Sequence, residues 1–84
     1  MKATLLKTDG KREIITPKNG RSFVLEELQN LVGGYIEVIN IGKQIMVINE
    51  EGRIERLHVN RAASGIAGFE IVGDVLIGNR DIVR

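Results

Sequence analysis

The clearest pattern in the chain is an apolar stripe with the spacing of an amphipathic helix. Its apolar positions recur every three or four residues: Leu25, Leu28, Leu31 and Val32. Gly33 and Gly34 follow at once, and glycine is a residue at which helices commonly end. We therefore predict a helix over Leu25–Val32 that turns directly into the next strand.

Apolar runs with the two-residue period of a strand occupy much of the remaining chain. The turn signal Asp9-Gly10 predicts that the first two runs form a hairpin. Asn60 has the residue type of an N-cap and predicts a second short helix. The predicted strands are Lys2–Thr8, Arg12–Thr16, Tyr35–Ile41, Gln44–Glu50, Ile54–Leu57 and Phe69–Gly78, the last interrupted at Gly73.

These elements predict an α+β fold in which residues 1–84 form a single domain. The expected architecture is a small, twisted, mainly antiparallel sheet of about five strands, with two short helices packed on one face. The strands Tyr35–Ile41 and Gln44–Glu50 carry apolar residues on both faces. That pattern indicates a central position in the sheet, or a second face covered by a partner subunit.

An apolar patch would then remain on the uncovered face, larger than soluble monomers usually expose. Its residues are Ile39, Ile41, Met46 and Ile48. Two-fold association is the commonest way to close such a patch, so we predict a homodimer or a higher symmetric oligomer. In the alternative, the C-terminal strand curls over this face and buries it within one chain.

Composition narrows the classes of function. The chain has 12 basic and 11 acidic side chains, and a net charge of +1 argues against binding along a nucleic-acid backbone. It has no cysteine, which removes disulfides and thiolate metal sites and fits a reducing compartment. No run approaches the ~18 apolar residues of a membrane helix. We therefore expect a cytoplasmic protein with no membrane contact.

No group of residues has the pattern of a catalytic or metal-binding site. His58 is the only histidine and has no obvious partner, so a surface or capping role is favoured over a general base or a ligand. Gly33-Gly34 follow a helix, whereas phosphate-binding glycine loops precede one. We expect no catalytic residue, no metal and no cofactor, and a protein that is not an enzyme.

Glu37 stands out because it lies in the most apolar strand and shares a face with Tyr35. A carboxylate at such a position must face solvent or find a partner. Arginines in the C-terminal half could hold a phosphate-bearing ligand. The ligand-binding residues predicted near a pocket between subunits are Tyr35, Glu37, Asn49, Arg53, Asn60 and Arg61. In the alternative, Glu37 and Tyr35 belong to an exposed outer face.

Several segments carry a family resemblance that runs over nearly the whole chain. The most specific are Leu28-Gln29, Val32-Gly33-Gly34-Tyr35-Ile36-Glu37, Asn49-Glu50-Glu51-Gly52, Asn60 with Ala63, and Gly73-Asp74-Val75. In these segments the chain resembles a family of small uncharacterised domains encoded by bacteriophages, plasmids and integrative elements, catalogued as a domain of unknown function. Two positions depart from the family pattern. Val24 stands where a helix-capping hydroxyl residue is common, and His58 stands where proline is frequent.

The resemblance carries no established activity, but it implies a short accessory protein of a mobile element. We therefore expect a non-enzymatic protein that antagonises a host defence system in the cytoplasm of a bacterial host. The favoured action is to sequester a nucleotide-derived immune signal in an oligomer. The alternative is a protein-binding regulator or inhibitor, which attaches its exposed sheet face or edge to a host or element-encoded enzyme.

Overall fold

The computed structural model describes residues 1–83 and has an α+β fold. Its elements are β1 (Ala3–Leu6), β2 (Arg12–Ile15), α1 (Leu25–Val32), β3 (Ile36–Ile41), β4 (Gln44–Asn49), α2 (Arg61–Ala67), β5 (Val75–Asn79) and a 3-10 turn (Arg80–Ile82). Five strands form one sheet in the order β2-β1-β5-β4-β3, and neighbouring strands are antiparallel. The predicted fold class is confirmed.

The last strand of the chain, β5, lies at the centre of the sheet. Leu76 is paired on one side with Leu5 of β1 and on the other with Val47 of β4. The side chains of Val75, Leu76 and Ile77 are at most 8% exposed. Strand β5 is therefore covered on both faces, and it joins the N-terminal hairpin to the β3–β4 hairpin.

The two helices lie on opposite faces of this sheet, which corrects the expectation that both pack on one face. Successive strand residues point to opposite sides, and the two apolar clusters separate accordingly. The cluster on the α1 side contains Leu5, Leu28, Val32, Val47 and Leu76. The cluster on the α2 side contains Leu6, Met46, Ala63, Val75 and Ile77. The apolar residues on both sides of β4 and β5 require cover on both sides, and the chain supplies one helix to each.

The apolar patch that was expected to need a partner subunit is largely covered within the chain. Met46 is fully buried, and Ile39, Ile41 and Ile48 are half-buried against the α2-side cluster. The cover comes from α2 and from Ile71, not from the C-terminal strand. This face therefore no longer argues for an oligomer.

One predicted strand is absent, and another is shorter than predicted. Residues 50–56 form consecutive turns, in which the N–H of Glu55 donates to the carbonyl of Glu51, so no strand forms over Ile54–Leu57. The strand predicted over Phe69–Gly78 begins only at Val75. Before it, Gly73 has a φ of 82°, a left-handed conformation that interrupts a strand.

A buried asparagine connects three distant parts of the chain. The side-chain oxygen of Asn60 accepts a hydrogen bond from the N–H of Ala63 at 3.0 Å, which confirms the predicted N-cap of α2. Its side-chain nitrogen donates to the carbonyls of Leu6 and Gly73, both at 2.9 Å. One fully buried amide thus fixes α2 to the end of β1 and to the loop before β5.

Helix α1 begins without the hydroxyl cap that the resemblance associates with its first position. Val24 occupies that position, and its N–H donates to the carboxylate of Glu27 at 3.0 Å. The other oxygen of Glu27 accepts from the N–H of Lys18, also at 3.0 Å. The N–H groups of Val24 and then Lys18 hold the pKa of the Glu27 carboxyl below its usual range. Glu27 therefore ties the preceding loop to the first turn of the helix.

We predict that Glu27→Gln changes the pH dependence of stability. Because the folded-state pKa is lowered, the charged side chain stabilises the fold above the ordinary carboxyl pKa. That stabilisation is lost as the pH falls through the folded-state pKa. The difference in unfolding free energy between wild type and variant should therefore be largest near neutral pH and vanish in acid. Urea unfolding at a series of pH values measures it.

Glu26→Gln is the matched control, because Glu26 lies in the same helical turn. This variant should show a smaller pH-dependent difference from wild type. Equal pH dependence in the two variants would contradict the role assigned to Glu27.

Candidate functional site

An open cleft of about 460 Å³ lies where α1 ends and β3 begins. Its lining comes from the last turns of α1, from the link to β3 and from the turns after β4. The lining residues are Gln29, Asn30, Gly33, Gly34, Tyr35, Glu51 and Glu55. We refer to this feature as the α1 cleft. It brings together an aromatic ring, two side-chain amides and two carboxylates.

The floor of the α1 cleft depends on the two glycines that end the helix. Gly33 has a φ of 84°, and its N–H donates to the carbonyl of Gln29 at 2.8 Å. The N–H of Gly34 donates to the same carbonyl at 3.0 Å. A Cβ atom on Gly34 would lie 3.1 Å from the side-chain nitrogen of Asn49, which is tighter than most such contacts. Glycine at both positions allows the chain to turn sharply against β4.

Asn49 positions the acidic wall of the cleft. Its side chain is only 4% exposed, and its nitrogen donates to the carbonyl of Val32 at 3.2 Å and to the carboxylate of Glu55 at 3.1 Å. Its oxygen accepts from the N–H of Glu51 at 2.7 Å. The amide therefore holds the turns after β4 against the end of α1. It also accounts for the position of Glu55, which the sequence presents only as a turn charge.

The structure divides the six residues predicted to bind a ligand. Tyr35 lines the α1 cleft and is 65% exposed. Asn49 and Asn60 are buried and use both of their side-chain N–H groups within the fold, so they are corrected from ligand contacts to structural residues. Asn49 still acts on the cleft indirectly, through Glu51 and Glu55.

The three charged residues of the predicted set are exposed but do not line the cleft. Glu37 lies on the sheet face opposite α1. The guanidinium of Arg53 donates to the carbonyl of Glu70 at 3.2 Å and lies 3.8 Å from its carboxylate. Arg61 begins α2. Of the predicted set, only Tyr35 is directly in the cleft.

One protein-family model matches a range of residues that includes the α1 cleft and all five strands. A family model described as "Domain of unknown function (DUF3846)" matches residues 1–81. The chain belongs to this family. No curated protein and no solved structure matches the chain. The expectation of an uncharacterised domain family is thus confirmed for the DUF3846 domain.

The DUF3846 domain has a second depression next to the cleft. It measures about 320 Å³, shares Asn30 and Gly33 with the cleft, and contains His58 and Asp74. The carboxylate of Asp74 accepts from the N–H of Thr8 at 2.9 Å, so this side chain fastens the end of β1 to the start of β5. His58 is exposed, and its backbone carbonyl accepts from the N–H of Gly73.

Electrostatics limit what the α1 cleft of the DUF3846 domain can hold. Glu51 and Glu55 supply two carboxylates, and no residue that lines the cleft is basic. Ligands that present amino, amide or hydroxyl groups suit such a lining, whereas a phosphate inside it would be repelled. Within residues 1–83, no group of three or more histidine, cysteine or acidic side chains could hold a metal. Over the same residues, no helix has the length and apolar character to cross a membrane.

We predict that Asn49→Asp destabilises the DUF3846 domain by about 3 kcal/mol at neutral pH. The substitution replaces the side-chain N–H group with an oxygen, which would face the carbonyl of Val32 and the carboxylate of Glu55. Urea unfolding measures the loss. Asn30→Asp is the control, because Asn30 lines the same cleft but is exposed. It should change stability by less than about 0.5 kcal/mol. Similar losses in both variants would show that the Asn49 amide does not hold the cleft wall.

Proposed function

We propose that this DUF3846 domain is a non-enzymatic accessory protein of a mobile element, which antagonises a bacterial host defence system by occupancy. It acts in the host cytoplasm, and its ligand is a nucleotide-derived immune signal. The α1 cleft is the observation that supports this proposal. Its volume of about 460 Å³ lies within the range of small-molecule sites, and it is open at the surface beside the exposed ring of Tyr35.

The chemistry of the cleft suits a nucleobase better than a phosphate. The ring of Tyr35 offers a face on which a base can stack. The amides of Gln29 and Asn30 both donate and accept, and so can pair with the edge of a base. Glu51 and Glu55 accept hydrogen bonds from exocyclic amino groups or ribose hydroxyls. A bound nucleotide would therefore place its base in the cleft and its phosphates outside.

Arg53 belongs to the predicted ligand set and would contact a phosphate group of the bound nucleotide that lies outside the cleft. It lies two positions after Glu51, and its contact with Glu70 is exposed on both sides, with exposed fractions of 69% and 54%. An exposed ion pair of this kind contributes little to stability. Arg53 can therefore exchange Glu70 for a phosphate at small cost.

We predict that one or more members of a nucleotide panel stabilise the protein and that Tyr35→Ala abolishes the effect. The panel comprises cyclic dinucleotides, cyclic oligonucleotides and ADP-ribose derivatives. A ligand at 100 times its Kd should raise the unfolding free energy by about 2.7 kcal/mol, because it binds only the folded chain. Thermal shift identifies the ligand, and calorimetry gives its affinity.

Phe69→Ala is the matched control, because Phe69 is another exposed aromatic residue, 55% exposed, outside the cleft. This variant should bind as wild type does. If no member of the panel stabilises the wild-type chain, the proposal is wrong. Equal loss of binding in both variants would show that the ligand does not bind in the α1 cleft.

A second candidate function rests on a different observation. Among the strands formed by residues 1–83, β3 pairs only with β4, so one of its edges can accept a strand from another protein. On this basis the domain would be a regulator or inhibitor of a host or element-encoded enzyme. Capture from a host lysate should then yield one dominant partner, and Val38→Lys in β3 should abolish its capture. Recovery of no partner would count against this candidate.

A further inference from the structure

The two carboxylates of the α1 cleft differ in how much of each is free to accept a ligand. One oxygen of Glu55 already accepts a hydrogen bond from the side-chain nitrogen of Asn49 at 3.1 Å. Glu51 is held through its backbone, because its N–H donates to the side-chain oxygen of Asn49 at 2.7 Å. Within residues 1–83, no ion pair or side-chain hydrogen bond engages the Glu51 carboxylate. Glu51 therefore offers two free oxygens to the cleft, and Glu55 offers one.

An ionised carboxylate only accepts hydrogen bonds, so it discriminates between the edges of the bases. Guanine carries two adjacent donors on its pairing edge, the ring N1–H and the exocyclic amino group. Adenine carries one amino group there, next to a ring nitrogen that has a lone pair and no hydrogen. No pyrimidine presents two adjacent donors. Guanine can therefore form two parallel hydrogen bonds with one carboxylate, whereas adenine forms one and sets its ring nitrogen against the second oxygen.

We propose that the α1 cleft selects guanine and that Glu51 is the residue that determines this specificity. The Glu51 carboxylate accepts from the N1–H and the amino group of the base. The side-chain amides of Gln29 and Asn30 supply N–H donors for the acceptors O6 and N7 on the other edge of the base. The ring of Tyr35 stacks on its face. This inference rests on the proposed function, because it names the base of the nucleotide that the cleft binds.

An arginine side chain of a protein partner is the other group that presents two parallel donors to a carboxylate. A guanidinium has no acceptor, however, so the N–H groups of Gln29 and Asn30 would gain no hydrogen bond from it. Guanine combines two donors on one edge with two acceptors on the other. Because the lining holds amide N–H groups as well as carboxylates, it suits guanine better than a guanidinium.

Three nucleoside monophosphates that differ only in the base test the specificity. These are GMP, IMP, which lacks the amino group of guanine, and AMP. Titrations followed by amide chemical shifts measure their Kd values. GMP should bind roughly tenfold more tightly than IMP, because the amino group donates to a charged acceptor. AMP should bind no more tightly than IMP. Any contact of Arg53 with the phosphate is the same for all three ligands and does not affect their ratios.

The same comparison applies to the larger ligands of the panel. Cyclic di-GMP and cyclic di-AMP share one phosphodiester ring and differ in the base alone. Cyclic di-GMP should stabilise the chain more than cyclic di-AMP in thermal shift, and calorimetry should show a preference of roughly tenfold or more.

Glu51→Gln tests the residue that carries the specificity. This variant keeps the size of the side chain and replaces one acceptor oxygen with an N–H donor. The preference for GMP over AMP should fall roughly tenfold. Unfolding by urea should be unchanged, because Glu51 is exposed.

Glu50→Gln is the matched control. Glu50 is the preceding residue, is also exposed and does not line the cleft. The substitution removes the same negative charge, so any general effect of charge on a bound phosphate appears in both variants. The preference for GMP over AMP should remain as in wild type.

The outcomes separate this inference from the proposed function. Equal affinities for GMP and AMP, or an unchanged preference in Glu51→Gln, would overturn the selection of guanine while nucleotide binding stands. Binding of N-acetylarginine amide without binding of GMP would assign the cleft to a protein arginine and overturn it as well. Absence of binding by every nucleotide would contradict the proposed function itself, and this inference with it.

Discussion

The fold depends on the insertion of the last strand between two hairpins. Without β5, β1 and β4 have no neighbour in common, and two-stranded hairpins are marginal in water. Leu76 meets Leu5 on one side and Val47 on the other, and together they form the apolar row beneath α1. On the α2 side, Val75 pairs with Leu6 of β1, and Ile77 pairs with Met46 of β4. Strand β5 therefore completes the sheet and contributes to the apolar cluster beneath each helix.

The candidate site is a consequence of that closure. With β5 beside it, β4 becomes an interior strand, and its final residue, Asn49, is buried under the end of α1. The Asn49 amide then fixes the acidic turns beside the two glycines, and the α1 cleft results. The same strand order leaves β3 at an edge with Tyr35 at its start. The α1 cleft and the open edge of β3 are thus adjacent because β5 lies between β1 and β4.

Local signals in the sequence predicted the local structure well. The 3–4 spacing and the double glycine gave α1 its bounds, and Asn60 gave α2 its cap. The strand predicted over Ile54–Leu57 is absent, because residues 50–56 form consecutive turns. The other failures were non-local. Apolar residues on both sides of a strand do not reveal which helix covers which side, so α2 was expected on the wrong face. Likewise, a polar residue type does not reveal burial, so Asn49 and Asn60 read as ligand contacts when both are internal connectors. Of the predicted ligand set, Tyr35 is exposed and lines the cleft.

Amide hydrogen exchange resolved by residue tests most directly the claim that β5 holds the domain together. We expect that the amides of Val75, Leu76 and Ile77 exchange most slowly, together with those of β1 and β4 that pair with them, and only through global unfolding. Stabilising or destabilising the whole domain should then shift all of these rates equally. Faster exchange in β5 than in either hairpin, with the hairpins opening independently, would contradict the account.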